Sequence, residues 1–240
     1  MIMLFTDYGW AGPYLGQVQA ALHRLVPGEK VINLLADAPR NNPRASAYLL
    51  AACSRACGAP PGTIFFAVVD PGVGNFQHQP VIISADGQWY VGPDNGLFDL
   101  VCRRAAEVQC WHIDYRPETL SASFYGRDLY APTAARLSSN EIPSVKTLWK
   151  DRHDWPDDLA EIIYIDHFGN CMAGVRAEMP EHNRVIRVNG FAVSYAHTFS
   201  SVPPGAAFWY CNSQKLVEIA VNGGSAAELL DLDIGTGLAF

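Results

Sequence analysis

Short apolar runs alternate with amphipathic segments over the first 137 residues, which is typical of an α/β protein. Residues 1–6 are mostly apolar and predict a strand. Tyr14, Val18, Leu22 and Leu25 follow at spacings of four, four and three, which predicts an amphipathic helix that ends at a Pro-Gly pair.

The rest of this region continues the alternation. Thr63–Val69 is continuously apolar, which predicts a strand buried on both faces at the sheet centre. The other predicted elements are a strand at 31–35, a helix at 44–57, a hairpin of strands at 81–84 and 88–91, a helix at 95–104, a strand at 108–113 and a helix at 129–137.

The pattern changes in the second part of the chain. Residues 138–160 are polar without clear periodicity and are interpreted as a linker. From residue 161 onward, strand-like runs at 162–165, 184–188, 206–211 and 216–221 are separated by turns such as Asn189-Gly190. We therefore expect an N-terminal α/β domain (1–137) with a central mixed or parallel sheet, and a smaller, barrel-like C-terminal β domain (161–240).

Composition narrows the functional classes. The 240 residues are 49% hydrophobic, which excludes a disordered or fibrous chain. The formal charge of −7 and the lack of a basic stripe argue against a nucleic-acid binder. Since no signal-peptide core and no membrane-length apolar run occur, we expect a cytoplasmic protein without a membrane partner.

Three carboxylates follow predicted strands, at the sheet edge where α/β proteins bind ligands: Asp7, Asp70 and Asp94. They could hold a divalent metal, although no histidine stands at a suitable spacing and the six cysteines are scattered. The glycine-rich turn after Asp70 lacks the Gly-Lys-Ser/Thr ending of a phosphate loop, so nucleoside triphosphate binding is disfavoured.

Two further segments have both an ordinary and a functional interpretation. In residues 123–128, Asp128 could cap the following helix and Arg127 could pair with a carboxylate, or Tyr125 could lie in a pocket. Residues 166–170 follow a predicted strand and could form an ordinary turn or a binding loop.

Six motifs occur along the chain in a fixed order: Phe5-Thr6-Asp7-Tyr8-Gly9, Val69-Asp70-Pro71-Gly72-Val73-Gly74, Gly92-Pro93-Asp94-Asn95-Gly96-Leu97, Phe124-Tyr125-Gly126-Arg127-Asp128 with Ala131-Pro132, Ile165-Asp166-His167-Phe168-Gly169-Asn170, and Ile219-Ala220-Val221-Asn222. From residue 3 to about residue 225 the chain resembles the S-adenosyl-L-methionine hydroxide adenosyltransferase family, relatives of the bacterial fluorinase and chlorinase.

The resemblance implies a homotrimer whose active sites lie between the first domain of one subunit and the second domain of its neighbour. It also implies an in-line displacement at the ribose C5′ of S-adenosyl-L-methionine (SAM), in which water or hydroxide attacks, methionine leaves and adenosine forms. The sulfonium is already activated, so the protein mainly holds C5′ in line with the nucleophile. No cofactor is expected, because SAM is the substrate.

The same resemblance implies roles for individual residues. Asp7 would accept both ribose hydroxyls, because a carboxylate offers two oxygens to a vicinal diol. Asp166 would bind the methionine ammonium and Asn170 the adenine edge. The other implied substrate-binding positions are Phe168, Phe199 as an aromatic wall for the base, Ser213 for the methionine carboxylate, and Asn222 in the adenine-binding turn.

The chain departs from this family at the nucleophile. Hydroxide-transferring members use an Asp, an Arg seven residues later and a His to orient and activate water. Here Asp70 is kept, Gln77 stands at the Arg position and Tyr125 at the His position, so Asp70 and Tyr125 are expected to orient the water with weaker activation. Gly12 stands where relatives usually carry an acidic residue near the methionine end, which leaves the amine contact to Asp166.

The leading hypothesis is an adenosine-forming SAM hydrolase. The alternatives are a non-catalytic adenosine- or SAM-binding protein, favoured by Gln77 and Tyr125, and a SAM-dependent halogenase. Halide use is disfavoured, because an ionised Asp70 would repel a halide a few ångströms away by several kcal/mol at an effective dielectric constant of about 20.

Overall fold

The computed structural model describes residues 1–74, 79–142, 144–181 and 183–240. The chain divides into two compact units, one of Met1–Leu50 and Gly58–Asp154 and the other of Ala51–Cys57 and Trp155–Phe240. In chain order, the first part contains β1 (Ile2–Thr6), α1 (Tyr14–Leu25), β2 (Val31–Leu35), α2 (Pro43–Ala56), β3 (Ile64–Val68), β4 (Pro80–Ala85), β5 (Gln88–Pro93), α3 (Asp99–Arg103), β6 (Val108–Ile113), a π-helical turn (Gly126–Tyr130), α4 (Ala131–Ser138) and β7 (Ser144–Thr147).

A mixed sheet organises the first unit, with the strand order β2-β1-β3-β5-β4-β6-β7. The neighbours β2, β1, β3 and β5 are parallel, whereas β4, β6 and β7 join by antiparallel pairing. All five residues of β3 are buried, as expected for a continuous apolar run in an interior strand. The predicted mixed sheet is therefore confirmed.

Helix α1 has the predicted length but a rotated buried face. Leu15, Val18 and Leu22 are buried in the core of the first unit. Tyr14 and Leu25, which the apolar spacing placed on the buried face, are 50% and 44% exposed. The spacing identified the helix correctly because Val18 and Leu22 dominate its apolar stripe.

Three other predicted elements of this part differ in the structure. The helix expected at 95–104 is shortened to α3, because Asn95 and Gly96 form a turn: the Asn95 side chain donates to the Val69 carbonyl at 2.8 Å and Gly96 has a φ of 92°. The helix expected from residue 129 begins instead as the π-helical turn. Within residues 138–160, β7 pairs with β6 as the sheet's last strand.

The second part contains β8 (Leu159–Ile165), β9 (Cys171–Arg176), β10 (Ile186–Val188), β11 (Phe191–Val193), a 3₁₀ turn (Phe199–Ser201), β12 (Ala207–Cys211), β13 (Leu216–Val221) and α5 (Ala226–Leu230). One antiparallel sheet has the order β12-β13-β9-β8, and β10 pairs separately with β11 through the predicted Asn189-Gly190 turn. The β character of this part is confirmed, and its barrel-like closure stays a prediction. Across the residues described, no helix combines the length and apolar character that a membrane crossing requires.

Candidate active site

A small cavity of about 90 Å³ lies in the first unit, at the carboxyl ends of the parallel strands β1 and β3. Asp7 follows β1 directly, and Asp70 lies two residues after β3. The cavity is lined by Asp7, Tyr8, Asn41, Val68, Asp70, Val73, Ser123, Phe124, Tyr125, Gly126 and Tyr130. The sheet edge thus brings together three of the predicted site residues, Asp7, Asp70 and Tyr125.

Both carboxylates of the cavity accept hydrogen bonds from backbone amides. Asp7 Oδ2 accepts from the Asn41 N–H at 2.9 Å, and Asp70 Oδ1 accepts from the Gly72 N–H at 3.1 Å. Burial raises the pKa of Asp7, against the opposing effect of the Asn41 hydrogen bond. Asp7 is therefore held by the loop that contains Asn41, and Asp70 by the turn that follows its own strand.

Gly74 fixes the turn after Asp70 against the segment that carries Tyr125. It has a φ of 88°, and a Cβ at this position would lie 2.5 Å from the Ala122 carbonyl oxygen. Only glycine combines this backbone conformation with so close an approach.

The π-helical turn presents two tyrosines to the cavity. The Ala131 N–H bonds to the Gly126 carbonyl, the five-residue spacing of a π-helix. In a π-helical turn, residues five positions apart lie on nearly the same face, which is not the case in an α-helix. Tyr125 and Tyr130 are five positions apart, and both line the cavity. Asp128 does not cap α4, whose first turn lacks a side-chain cap; it accepts from the Ser121 N–H at 2.9 Å and pairs with Arg127. The Arg127 guanidinium lowers the pKa of Asp128.

Tyr8 was not predicted as a site residue. Its ring packs edge-on against Phe124 at 5.7 Å, and its hydroxyl lies so close to Gly126 that a Cβ there would be 2.0 Å from it. Burial is the main cause that raises the pKa of Tyr8, and the charges of Asp7 and Asp70 add to it. Burial also raises the pKa of Tyr130, again reinforced by Asp70. Both side chains are therefore neutral hydroxyls beside carboxylates.

Asp94, the third carboxylate of the metal hypothesis, is not among the residues lining this cavity. It is buried and pairs with Arg152, while the neighbouring buried Asp99 accepts from the Arg152 and His153 amides at 3.2 and 3.1 Å. In the described ranges, no group of three or more His, Cys, Asp or Glu side chains is arranged to hold a metal ion. Gln77 lies outside the residues that the structure describes.

A larger open cavity of about 850 Å³ lies in the second unit. Its wall contains five predicted residues, Asp166, Phe168, Asn170, Phe199 and Ser213; the remaining lining residues are Met172, Tyr210, Asn212, Gln214, Glu218, Val221, Gly223 and Gly224. Asn222 is not among the lining residues, although Val221 and Gly223 on either side of it are. Its side-chain amide donates to the Val202 carbonyl at 2.8 Å.

Asp166 organises the loop between β8 and β9. Its Oδ1 accepts from the Phe168 and Asn170 amides at 2.8 and 2.9 Å, and its Oδ2 accepts from Asn170 Nδ2 at 2.9 Å. Gly169 has a φ of 81° and packs against Ser225, at the start of α5. The segment is thus a turn, as its ordinary interpretation required, and also lines the cavity. Phe168 is left 72% exposed.

Aromatic side chains and one buried carboxylate also line this cavity. Phe199 packs edge-on against Phe208 and Tyr210 at 5.1 and 5.6 Å. Glu218 is 3% exposed; it accepts a hydrogen bond from the Tyr210 hydroxyl and another from Asn212 Nδ2 at 2.8 Å. Burial raises the pKa of Glu218 against these two hydrogen bonds, and the charge of Asp166 raises it further.

Asn212 links this carboxylate to the turn that carries Ser213. Its Oδ1 accepts from the backbone amides of Gln214 and Leu216 at 3.0 and 2.9 Å. Sequence analysis identified Ser213 but not Asn212 or Glu218, because the hydrogen bond between these two side chains joins the turn after β12 to β13 and leaves no local motif. Acidic groups and aromatic rings in one cavity suit a cationic ligand that carries an aromatic base.

Comparison with known proteins matches the two parts of the chain to the two domains of one protein family. A family model for the SAM hydroxide adenosyltransferase N-terminal domain matches residues 2–146, and one for the C-terminal domain matches residues 160–239. A protein of Salinispora tropica named (R)-S-adenosyl-L-methionine hydrolase is 34% identical, covering 98% of this chain and 95% of the relative. A Thermus thermophilus protein with the same name is also 34% identical, covering 98% and 96%.

Solved structures share the fold. An uncharacterized conserved protein from Thermotoga maritima superposes with a TM-score of 0.88 at 26% identity, covering 99% of this chain and 98% of the other. A conserved hypothetical protein from Thermus thermophilus superposes with a TM-score of 0.78 at 32% identity, covering 99% and 97%. The similarity therefore extends over both units of the chain.

Proposed function

Since the chain belongs to the SAM hydroxide adenosyltransferase family, we propose that it is an S-adenosyl-L-methionine hydrolase that forms adenosine and L-methionine. The observation that carries this proposal is the 34% identity, over 98% of the chain, to relatives named for that activity. In the proposed step a water oxygen bonds to the ribose C5′ and the C5′–S bond breaks. Its electron pair stays on the sulfur of methionine, and one water proton is released.

In the first unit, Asp7 accepts the two ribose hydroxyls, and Asp70 accepts the proton of the attacking water with Tyr125 nearby. This is supported by the common cavity of the three side chains at the ends of β1 and β3. In the sequence, Gln77 stands at the position of the family's arginine. A neutral glutamine and a tyrosine activate water less than a cationic pair, so we expect slow turnover.

In the second unit, Asp166 binds the methionine ammonium, Asn170 the adenine edge and Ser213 the methionine carboxylate. Phe168 and Phe199 contact the base, and Asn222 supports the adenine-binding turn. The 850 Å³ cavity that five of these residues line is within the usual range for a ligand of this size, about 300–1,000 Å³.

The diol and water residues belong to the first unit, and the adenine and methionine residues belong to the second. In the proposed homotrimer, each active site combines the first domain of one subunit with the barrel-like second domain of its neighbour. SAM is then the small-molecule partner, no further cofactor takes part, and the enzyme acts in the cytoplasm.

The test is incubation of the purified protein with SAM, followed by chromatography of the products. We expect adenosine and methionine in equal amounts and a loss of at least about 100-fold in kcat for Asp70→Asn, because the proton acceptor is removed. The matched control is Asp114→Asn, an exposed carboxylate outside both cavities. A wild type that binds SAM and releases no adenosine over many hours would overturn the proposal.

A second candidate, non-catalytic binding of adenosine or SAM, is favoured by Tyr125 in the cavity where the family carries a histidine. Calorimetric binding without product would support it. Added fluoride, chloride or bromide tests the halogenase alternative, for which 5′-halo-adenosine is the expected product. Asp70 in the same cavity favours water over a halide.

A further inference from the structure

Tyrosine side chains share a cavity with the carboxylate to which the water is assigned. Tyr8, Tyr125 and Tyr130 line the same 90 Å³ cavity as Asp70. Tyr125 occupies the family's histidine position, but Tyr8 and Tyr130 belong to no role proposed above. Both side chains line the cavity in which the nucleophile is proposed to lie.

Of Tyr8 and Tyr130, Tyr8 has the more closely defined position. Its hydroxyl rests on the backbone of Gly126, where a Cβ would come within 2.0 Å of the oxygen and 3.1 Å of Cζ. Its ring is held edge-on by Phe124 at 5.7 Å. A side chain fixed on two sides keeps its hydroxyl in one place, as positioning of a reactant requires.

The charges around Tyr8 define its chemical form. Asp7 and Asp70 both act on its hydroxyl, and burial raises its pKa well above the ordinary value of 10.0. The hydroxyl is thus protonated near neutral pH. A neutral phenol donates one hydrogen bond and accepts another, so it can contact a carboxylate and a water at once.

Resting on the proposed hydrolase function, we propose that the Tyr8 hydroxyl and the Asp70 carboxylate together hold the attacking water, which makes Tyr8 a further catalytic residue. The water donates one proton to Asp70 while its oxygen bonds to C5′ and the C5′–S electron pair passes to sulfur. Tyr8 hydrogen-bonds the water and exchanges no net proton. Asp70 then releases the proton to solvent.

The chain order gives this arrangement a geometric consequence. Tyr8 directly follows Asp7, which is proposed to accept the ribose diol. Adjacent residues after β1 would therefore contact both the ribose and the water, so that the distance between C5′ and the nucleophile depends in part on this dipeptide. This compensates in part for the missing arginine and histidine.

The test compares Tyr8→Phe with Tyr14→Phe. Tyr14 is the matched control, because its ring also packs against Phe124, at 5.1 Å, while it is half exposed and outside the cavity. For Tyr8→Phe we expect kcat to fall about 10- to 100-fold with KM for SAM unchanged within about twofold, since only the water loses a partner. Tyr14→Phe should keep both constants.

Each outcome bears on the proposal. An active wild type with an unchanged kcat in Tyr8→Phe overturns the role of Tyr8 and leaves the hydrolase function standing. A wild type without adenosine formation overturns both. If Tyr8→Phe does not fold, Gly126→Ala carries the test, because it keeps the hydroxyl and displaces it: a lowered kcat at constant KM supports the role, and an unchanged kcat contradicts it.

Discussion

The contact between Tyr8 and Gly126 predicts a coupling between two substitutions. A Cβ added at Gly126 would lie 2.0 Å from the Tyr8 oxygen, 3.1 Å from Cζ and 3.2 Å from Phe124 Cε2. The oxygen would have to move by about 1.4 Å to reach an ordinary 3.4 Å contact, whereas the two carbons need only a few tenths of an ångström. The conflict in Gly126→Ala therefore lies almost entirely with the hydroxyl.

The magnitude follows from two opposing effects. Overpacking a filled site costs about 1–3 kcal/mol, and replacing a helical glycine by alanine returns up to about 1 kcal/mol. Gly126→Ala should lower the free energy of unfolding by about 1–2 kcal/mol in the wild-type background. In a Tyr8→Phe background the overpacking cost is removed and the gain remains, so the change should lie between zero and a stabilisation of about 1 kcal/mol, which gives a coupling energy of about 1–3 kcal/mol.

The assay is urea denaturation of the four proteins of this cycle. Gly16→Ala in α1 is the control, because a Cβ there meets no atom within 4 Å, and it should stabilise by about 0.5–1 kcal/mol in either background. An equal loss from Gly126→Ala with and without the Tyr8 hydroxyl would refute the reasoning, since the clash would then lie elsewhere.

Three further predictions concern stability, measured by urea denaturation. The pKa of Glu218 is raised by burial above its ordinary 4.5, so its stabilising contribution is present below about pH 4.5 and is lost as pH rises through the folded value; Glu218→Gln should remove that decline. Arg152→Ala leaves the buried Asp94 without its ion pair and should lower the free energy of unfolding by about 1–3 kcal/mol, a range that already allows for the half-exposed guanidinium. Adding Asp94→Asn should recover part of this loss. Leu22→Ala should cost about 2–5 kcal/mol and Leu25→Ala under about 1, because only Leu22 is fully buried; equal losses would contradict the rotated face of α1.

The sequence predicted six of the seven strands of the large sheet closely, because a short, mainly apolar run marks each of them; the clearest is Thr63–Val69, which has a Pro-Gly pair on each side. It missed β9 (Cys171–Arg176), in which the small residues Ala173 and Gly174 weaken the strand pattern and pairing with both neighbouring strands supplies the stability. It also placed no strand at β7, a polar edge strand stabilised by β6. In both cases the segment forms a strand because it pairs with neighbouring strands, although its local hydrophobic pattern does not predict one.

The candidate site shows the same division. Asp7 and Asp70 follow apolar strands, and this position correctly predicted that they lie at one edge of the sheet. Asp94 was predicted on the same ground but pairs with Arg152 instead. Tyr8 and Glu218 have no such signal, since their partners lie far away in sequence or across a strand pair. Roles that depend on a close approach between distant segments become visible only in three dimensions.

The central claim is that water attacks C5′ of SAM, and the isotope content of the product tests it most directly. The protein is incubated with SAM in water enriched in ¹⁸O, and the adenosine is analysed by mass spectrometry. We expect one solvent oxygen in the 5′-hydroxyl of each newly formed adenosine, so that the ¹⁸O-labelled fraction of the product equals the enrichment of the water. Adenosine without the label, or cleavage at any bond other than C5′–S, would contradict it.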